Sequence, residues 1–268
     1  MSTGFVAGEQ QWRARMGTLR QVVRQELVAR QLAAHLPDNP PRRVLDVGCG
    51  QGTQILRLAR RGHDTTGLDS SDTLLADLEA ALALEPGDVR QRVRTVLGDA
   101  EHLTELFPRE SFDVVLCHGV LMYFTEPGPL LDAIGVVVRP GGLVSLLVRN
   151  GDALALRPGL QRDWPTTLRA FDDMSYGNRI GVRARADRRV ELTAALAQRG
   201  LAVHDWFGVR VLTDTLPFDT PVPDDDRELE ALLACEERAG TTEPHRSSQQ
   251  RRPDHRHRVH PAAQAEPG

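Results

Sequence analysis

The chain of 268 residues contains no lysine; its 33 basic side chains other than histidine are all arginine. So complete an absence reads as codon bias in a GC-rich genome before it reads as a preference for bidentate recognition of carboxylate or phosphate. Cysteine is sparse too. Cys49, Cys117 and Cys235 lie far apart with no C-x-x-C pair, which excludes a zinc site or disulfide framework and points to reduced thiols, with no metal expected. No apolar run is long enough to cross a bilayer, and the charges of Glu9, Arg13 and Arg15 break any signal-peptide pattern. The expectation is a soluble cytoplasmic protein with no membrane partner. A formal net charge of -4 gives no global attraction to nucleic acid, so contact with RNA would have to come from a local basic face.

With 40% hydrophobic and 26% charged residues, the composition suits one α/β domain with additions. The most informative segment is Val44-Leu45-Asp46-Val47-Gly48-Cys49-Gly50-Gln51-Gly52, an apolar run that ends in an acid and then three alternating glycines. It describes a strand turning into a helix whose start offers unpaired N–H groups to a ligand. A dinucleotide is disfavoured, because the G-x-G-x-x-G spacing counted from Gly48 puts Thr53 where the third glycine belongs. Further strand ends follow in order. Asp64 to Asp69 reads as a second strand ending in an acid about 20 residues beyond the glycines, which makes Asp69 the candidate for ribose hydroxyls. Val93 to Glu101 is a third strand with an acidic end, Phe112 to His118 a fourth, and Arg139-Pro140-Gly141-Gly142 turns into a fifth over Leu143 to Val148. Helices are expected over Leu19 to Leu36, Gln51 to Arg61, Pro129 to Val138 and Asp187 to Arg199, the last leading into Leu201 to Leu212. Asn150 to Ala186 reads as irregular, with Trp164, Phe171, Tyr176, Arg179, Arg183 and Arg185.

Asp46-x-Gly48-x-Gly50-x-Gly52, together with the ordered strand ends and the Arg-Pro-Gly-Gly turn, resembles the Rossmann-like class I S-adenosylmethionine-dependent methyltransferases. Gly17-Thr18-Leu19-Arg20-Gln21, Arg61-Gly62-His63, His118-Gly119-Val120-Leu121 and Gly208-Val209-Arg210-Val211 extend the likeness to the bacterial tRNA 5-carboxymethoxyuridine methyltransferase group, from about Gly17 to Pro244. The resemblance implies an α/β Rossmann-like sheet with helices on both faces and S-adenosyl-L-methionine as cofactor. It places Asp46 near the ammonium group of that cofactor, Cys49 and Gly50 in the lining loop, Asp99 and Ala100 at the adenine, and His118 as a further contact. It also makes Arg20 the clamp on the methionine carboxylate, sensible because a guanidinium pairs with a carboxylate through two parallel hydrogen bonds. The insertion after the fifth strand would lie over the donor and shape the acceptor pocket.

The implied organisation is an N-terminal helical cap over residues 1–40, a cofactor-binding core over 41–150, a substrate-cap insertion over 151–186, the rest of the core over 187–243 and a disordered tail over 244–268. The tail is a departure. Where the family continues into an apolar strand inserted antiparallel between the fifth and sixth, this chain runs Pro244-His245-Arg246-Ser247-Ser248-Gln249-Gln250 and stays polar, His-rich and Pro-rich. The closing strand is expected to be missing, as a change of reading frame near the gene's end would produce, leaving backbone groups unpaired. The expected reaction is methyl transfer to an oxygen, a carboxylate of a modified tRNA uridine that attacks without a base, with Arg210 orienting it. An acceptor needing proton removal would turn to His118. A small-molecule O- or N-methyltransferase of secondary metabolism is the alternative, and a cofactor-binding protein without catalysis the third reading.

Overall fold

The computed structural model describes residues 8–15, 17–178, 180–217 and 219–243. Its strands are β1 (Arg43–Val47), β2 (Asp64–Asp69), β3 (Val93–Leu97), β4 (Phe112–His118) and β5 (Val138–Leu147). These five form one parallel sheet in the order β3-β2-β1-β4-β5. The helices around it include α1 (Glu9–Arg13), α2 (Leu19–His35), α3 (Thr53–Arg60), α4 (Asp72–Ala83) and α5 (Gly128–Val137).

Alternation along the two central strands explains why the sheet is covered on both faces. Leu45 and Val47 of β1, with Val115 and Cys117 of β4, enter the cluster that contains Leu130, Leu131, Ile134 and Val137 of α5. Their neighbours Val44, Val114 and Leu116 point the other way, onto Val28 and Leu32 of α2 and Leu58 of α3. Successive side chains of a strand alternate between faces, so a near-continuous apolar run is what a doubly covered parallel strand requires. β4 is buried along Phe112 to Cys117 and becomes half-buried only at His118, its carboxyl end. That end is where a parallel sheet of this kind presents a crevice.

The segment after β5 is more ordered than its sequence suggests. It contains α6 (Leu156–Leu160), α7 (Trp164–Asp172) and an antiparallel ribbon of β6 (Ser175–Gly177) and β7 (Arg183–Arg185). Asp163 caps α7 by accepting from the Thr166 N–H at 3.1 Å, and Pro165 follows in the first turn, two signals that the dispersed polar residues concealed. Trp164 and Phe171 are 59% and 62% exposed, so neither anchors the insertion. Arg179 lies outside the described residues.

Two further helices complete the described chain, α8 (Arg189–Ala197) and α9 (Asp226–Thr241). Leu233 of α9 packs on Leu19, Val23 and Leu27 of α2. Between these helices, the segment from Leu201 joins no ladder among the described residues, and the sheet ends at β5. From Leu143 to Leu147 every residue of β5 is only half-buried, unlike the sealed residues of β1 and β4. The expected tail over 244–268 lies outside the described residues.

An open β5 edge makes a hydrogen-exchange pattern. Amides of β1 and β4 are expected to exchange slowest, and the β5 amides facing away from β4 at least about a hundredfold faster. Equal protection across all three strands would mean that the edge is covered.

Candidate functional site

The turn from β1 into α3 has a conformation that only glycine adopts easily. Gly48, Gly50 and Gly52 have φ of 71°, 55° and 71°. A Cβ on Gly48 would stand 2.3 Å from Val120 Cγ2, and one on Gly52 2.2 Å from Leu78 Cδ1. Space and dihedral thus both exclude larger residues. Asp69, at the end of β2, tethers this loop: its Oδ2 accepts the Gly50 N–H at 2.8 Å and its Oδ1 the Ser71 N–H at 3.0 Å. Cys49 contributes backbone alone, because its side chain packs with Ile55, Leu75 and Leu78 and burial pushes its thiol pKa up. Trp12 of α1 covers the loop, with its ring carbon Cη2 2.9 Å from where a Gly50 Cβ would lie.

Asp46, at the end of β1, is 4% exposed, and its Oδ1 has no partner among the described residues. Burial, reinforced by Asp69 and opposed by Arg24, pushes its carboxyl up to about 7. Burial also raises Asp69, against the hydrogen bonds from Ser71 and Gly50. At the end of β3, Asp99 Oδ1 accepts the Glu101 N–H at 2.9 Å, and Ala100 starts a short 3-10 turn; both are half-buried. Asp46, the glycines, Asp69, Asp99 and Ala100 are thereby brought to the carboxyl ends of three adjacent strands.

A second group of charges surrounds Asp214. Arg20 of α2 bonds Asp214 Oδ1 through Nη2 at 2.5 Å, while its Nη1 donates to the Asp214 carbonyl and, at 3.3 Å, to that of Thr213. Arg149 and Arg210 approach the same carboxylate at 3.4 and 3.7 Å. Burial alone would raise Asp214, but Arg149, Arg210 and Arg20 outweigh it and hold the carboxyl down to about 2. Arg157 joins the cluster, its pKa lowered by burial and then by Arg20 and Arg149. Arg210 is lowered to about 10 by burial, and its Nε has no partner among the described residues. The guanidinium that the resemblance assigns to the cofactor, Arg20, is therefore already engaged by Asp214.

The loop carrying Arg210 and Asp214 rests on Glu236 of α9, which is fully buried. Its carboxylate accepts the N–H groups of Val211 at 2.7 Å, Leu212 at 3.1 Å and Thr213 at 2.7 Å, and the Thr213 hydroxyl at 2.6 Å. Arg210 itself has φ of 62°, a left-handed conformation that these bonds maintain.

A cavity of about 1440 Å³ runs along the whole of β5 to the carboxyl end of β4 and takes in Arg20, Arg24, His118, Tyr123, Tyr176 and Arg210. Its walls also include Trp12 but none of Asp46, Gly48, Gly50, Gly52, Asp69 and Asp99. His118 Nε2 lies 2.9 Å from Ser145 Oγ. Burial and then Arg24 lower its pKa to about 3, so the ring is neutral and a poor proton acceptor near neutrality. Asp214, Glu236, Trp12 and Arg24 were not singled out by the sequence. Only Arg24 had a signal there, one helical turn from Arg20 on α2.

Residues 45–146 match the family described as a methyltransferase domain. The tRNA 5-carboxymethoxyuridine methyltransferase of Escherichia coli is 31% identical over 144 residues, 52% of this chain and 53% of that protein. The ubiquinone biosynthesis O-methyltransferase of Paracidovorax citrulli is 40% identical over 119 residues, 43% of this chain and 48% of that protein. The chain thus spans about half the length of these curated relatives. An S-adenosylmethionine-dependent methyltransferase from Mesorhizobium loti has the same fold, with a TM-score of 0.55 at 23% identity over 77% of this chain and 90% of that one.

Glu236→Gln would keep one acceptor oxygen for Leu212 and Thr213 but turn an amide N–H₂ toward the Val211 N–H. It is expected to cost about 3 kcal/mol of stability, measured by urea unfolding, whereas Glu237→Gln on the exposed side of α9 should stay within about 0.5 kcal/mol. Equal stabilities would contradict the role given to Glu236.

Proposed function

We propose that this chain, whose residues 45–146 match a methyltransferase-domain family, takes S-adenosyl-L-methionine as methyl donor and passes the methyl to an oxygen of an anionic acceptor, a carboxylate of a modified tRNA uridine. What supports the donor is the fit of the strand ends. The glycine turn keeps three positive φ angles, Asp69 closes β2 beside it, where a ribose is expected, and the buried Asp46 Oδ1 lacks a partner among the described residues. Asp99 and Ala100 would then border the adenine. When bound, the donor supplies a methyl group on a positive sulfonium.

One observation carries the acceptor reading: Arg20, Arg149 and Arg210 share a single carboxylate, Asp214, with Arg157 in electrostatic reach of it, and all four arginines line the cavity. Such a surplus of half-buried positive charge is stabilised by an anion. Arg210, with a free Nε, would orient the acceptor carboxylate, which is ionised at neutral pH and needs no base. The chain's task is then to position the acceptor and exclude water. His118 fits as a neutral wall of the pocket.

A small-molecule acceptor is the second reading, favoured by the ubiquinone-pathway relative and by the placement of two arginines. Arg183 is an outward side chain, 80% exposed, while Arg185 turns in to pair with Asp187, so the two do not build one basic face. Incubating the protein with radiolabelled donor and separating RNA from metabolites distinguishes the readings. Label in tRNA supports the first, label in the metabolite fraction the second, and no label in either overturns methyl transfer.

Asp46 makes donor affinity depend on pH. Its folded pKa of about 7 stands above the ordinary 3.8, so the folded protein keeps a proton that the unfolded chain has lost between those values. Its contribution to stability therefore falls as pH rises through that window. Binding an ammonium requires the ionised carboxylate, so donor affinity should rise about fivefold from pH 6 to pH 7, with proton release at pH 6. Asp46→Asn should abolish the rise; a flat calorimetric profile in the unsubstituted protein would contradict the account.

A further inference from the structure

Arg157 is a half-buried cation that no group pairs with among the described residues: its side chain makes neither a hydrogen bond nor an ion pair there. It belongs to α6, which packs on the short turn Thr213–Thr215 that carries Asp214. Its guanidinium lines the cavity together with Arg149 and Arg210. Arg149, two residues beyond β5, bonds through its side chain only to Asp214 Oδ2, at a long 3.4 Å. Arg210 stands 3.7 Å from Asp214 Oδ1, beyond hydrogen-bond length. Only Arg20 holds that carboxylate closely, at 2.5 Å.

The balance of charge points to what is missing. Arg20 and Asp214 cancel as a close pair, which leaves Arg149, Arg157 and Arg210 as uncompensated positive charges on one wall of the cavity. An acceptor carboxylate at Arg210 neutralises one of them. Arg149 and Arg157, near enough that each opposes the other's charge, then still require an anion between them. A phosphate ester suits that place better than a second carboxylate, because its tetrahedral oxygens accept from two guanidinium forks at once. Tyr176 adds a neutral donor nearby: burial pushes its hydroxyl up to about 12, so it keeps its proton.

We propose that Arg149 and Arg157 form a phosphate subsite beside the acceptor carboxylate, so that the molecule methylated is a nucleotide. The inference rests on the acceptor reading above and adds a second anchor to it. The phosphate is either the monoester of a free nucleotide or the diester of a chain, and both present the same oxygens to the two arginines.

Calorimetric titration of the full chain with uridine, uridine 5′-monophosphate and the dinucleotide UpU separates the possibilities. At least one phosphorylated probe is expected to bind about tenfold more tightly than uridine; a gain for UpU assigns the site to a chain, and a gain for the monophosphate alone to a free nucleotide. Arg157→Gln should erase that gain while leaving uridine within about twofold, and Arg157→Lys should keep part of it. Arg162→Gln, exposed and outside the cavity lining, should change nothing. Without ligand, Arg157→Gln should unfold at a higher urea midpoint, since it removes a repelled cation. Phosphorylated probes that bind no better than uridine, an equal loss for all three probes in Arg157→Gln, or the same loss in Arg162→Gln would overturn the subsite. Label passed from the donor to tRNA would in those cases leave the acceptor reading standing, whereas phosphate-selective binding with no methyl transfer would overturn that reading and keep the subsite.

Discussion

The crevice depends on one hydrogen bond, from the Gly50 N–H to the Asp69 carboxylate at 2.8 Å. It joins the loop after β1 to the end of β2, so that the glycine turn and the acid expected at a ribose are positioned by the same contact. The parallel register beneath them, Val47 opposite Leu68, brings the two strand ends level. Because Asp69 also accepts from Ser71, it links the loop to the start of α4 as well. A carboxylate used in this way is structural before any ligand arrives, and replacing it disturbs the loop as well as a ribose contact.

Charge is divided between two neighbourhoods. At the strand tips the buried groups are mainly acidic; burial raises both Asp46 and Asp69, and Asp69 raises Asp46 further. Across the cavity the excess is arginine around Asp214, on a loop supported from below by Glu236. Arg24 stands between them, coupled electrostatically to Asp46 and His118. The division suits two ligands of different charge meeting in one crevice. On the proposed reading, a zwitterionic donor with a cationic sulfonium would take the acidic side and an anionic acceptor the basic side.

Much of this was legible in the sequence for a physical reason. A parallel strand buried on both faces must be a continuous apolar run, and such runs in β1 and β4 are unmistakable; the glycine spacing marked the turn, and α2 had its stripe. Partnerships across long sequence separations were not legible. Nothing near Glu236 in sequence says that its carboxylate caps residues 211–213, and nothing near Arg20 says that Asp214 occupies it. The insertion read as irregular because its helices are short and depend on local caps, Asp163 among them. The segment from Leu201 has the composition of a strand, but a ladder requires a neighbour at hydrogen-bonding distance, and among the described residues none lies between it and β5.

Trp12 supplies the most direct measurement of the central claim, because its indole now stands where a nucleoside would meet Gly50. A crystal structure of the protein with S-adenosylhomocysteine should show the ribose hydroxyls on Asp69, the adenine beside Asp99 and Ala100, and the indole displaced from Gly50. A ligand bound away from the ends of β1, β2 and β3, with Trp12 still seated on the loop, would contradict the account.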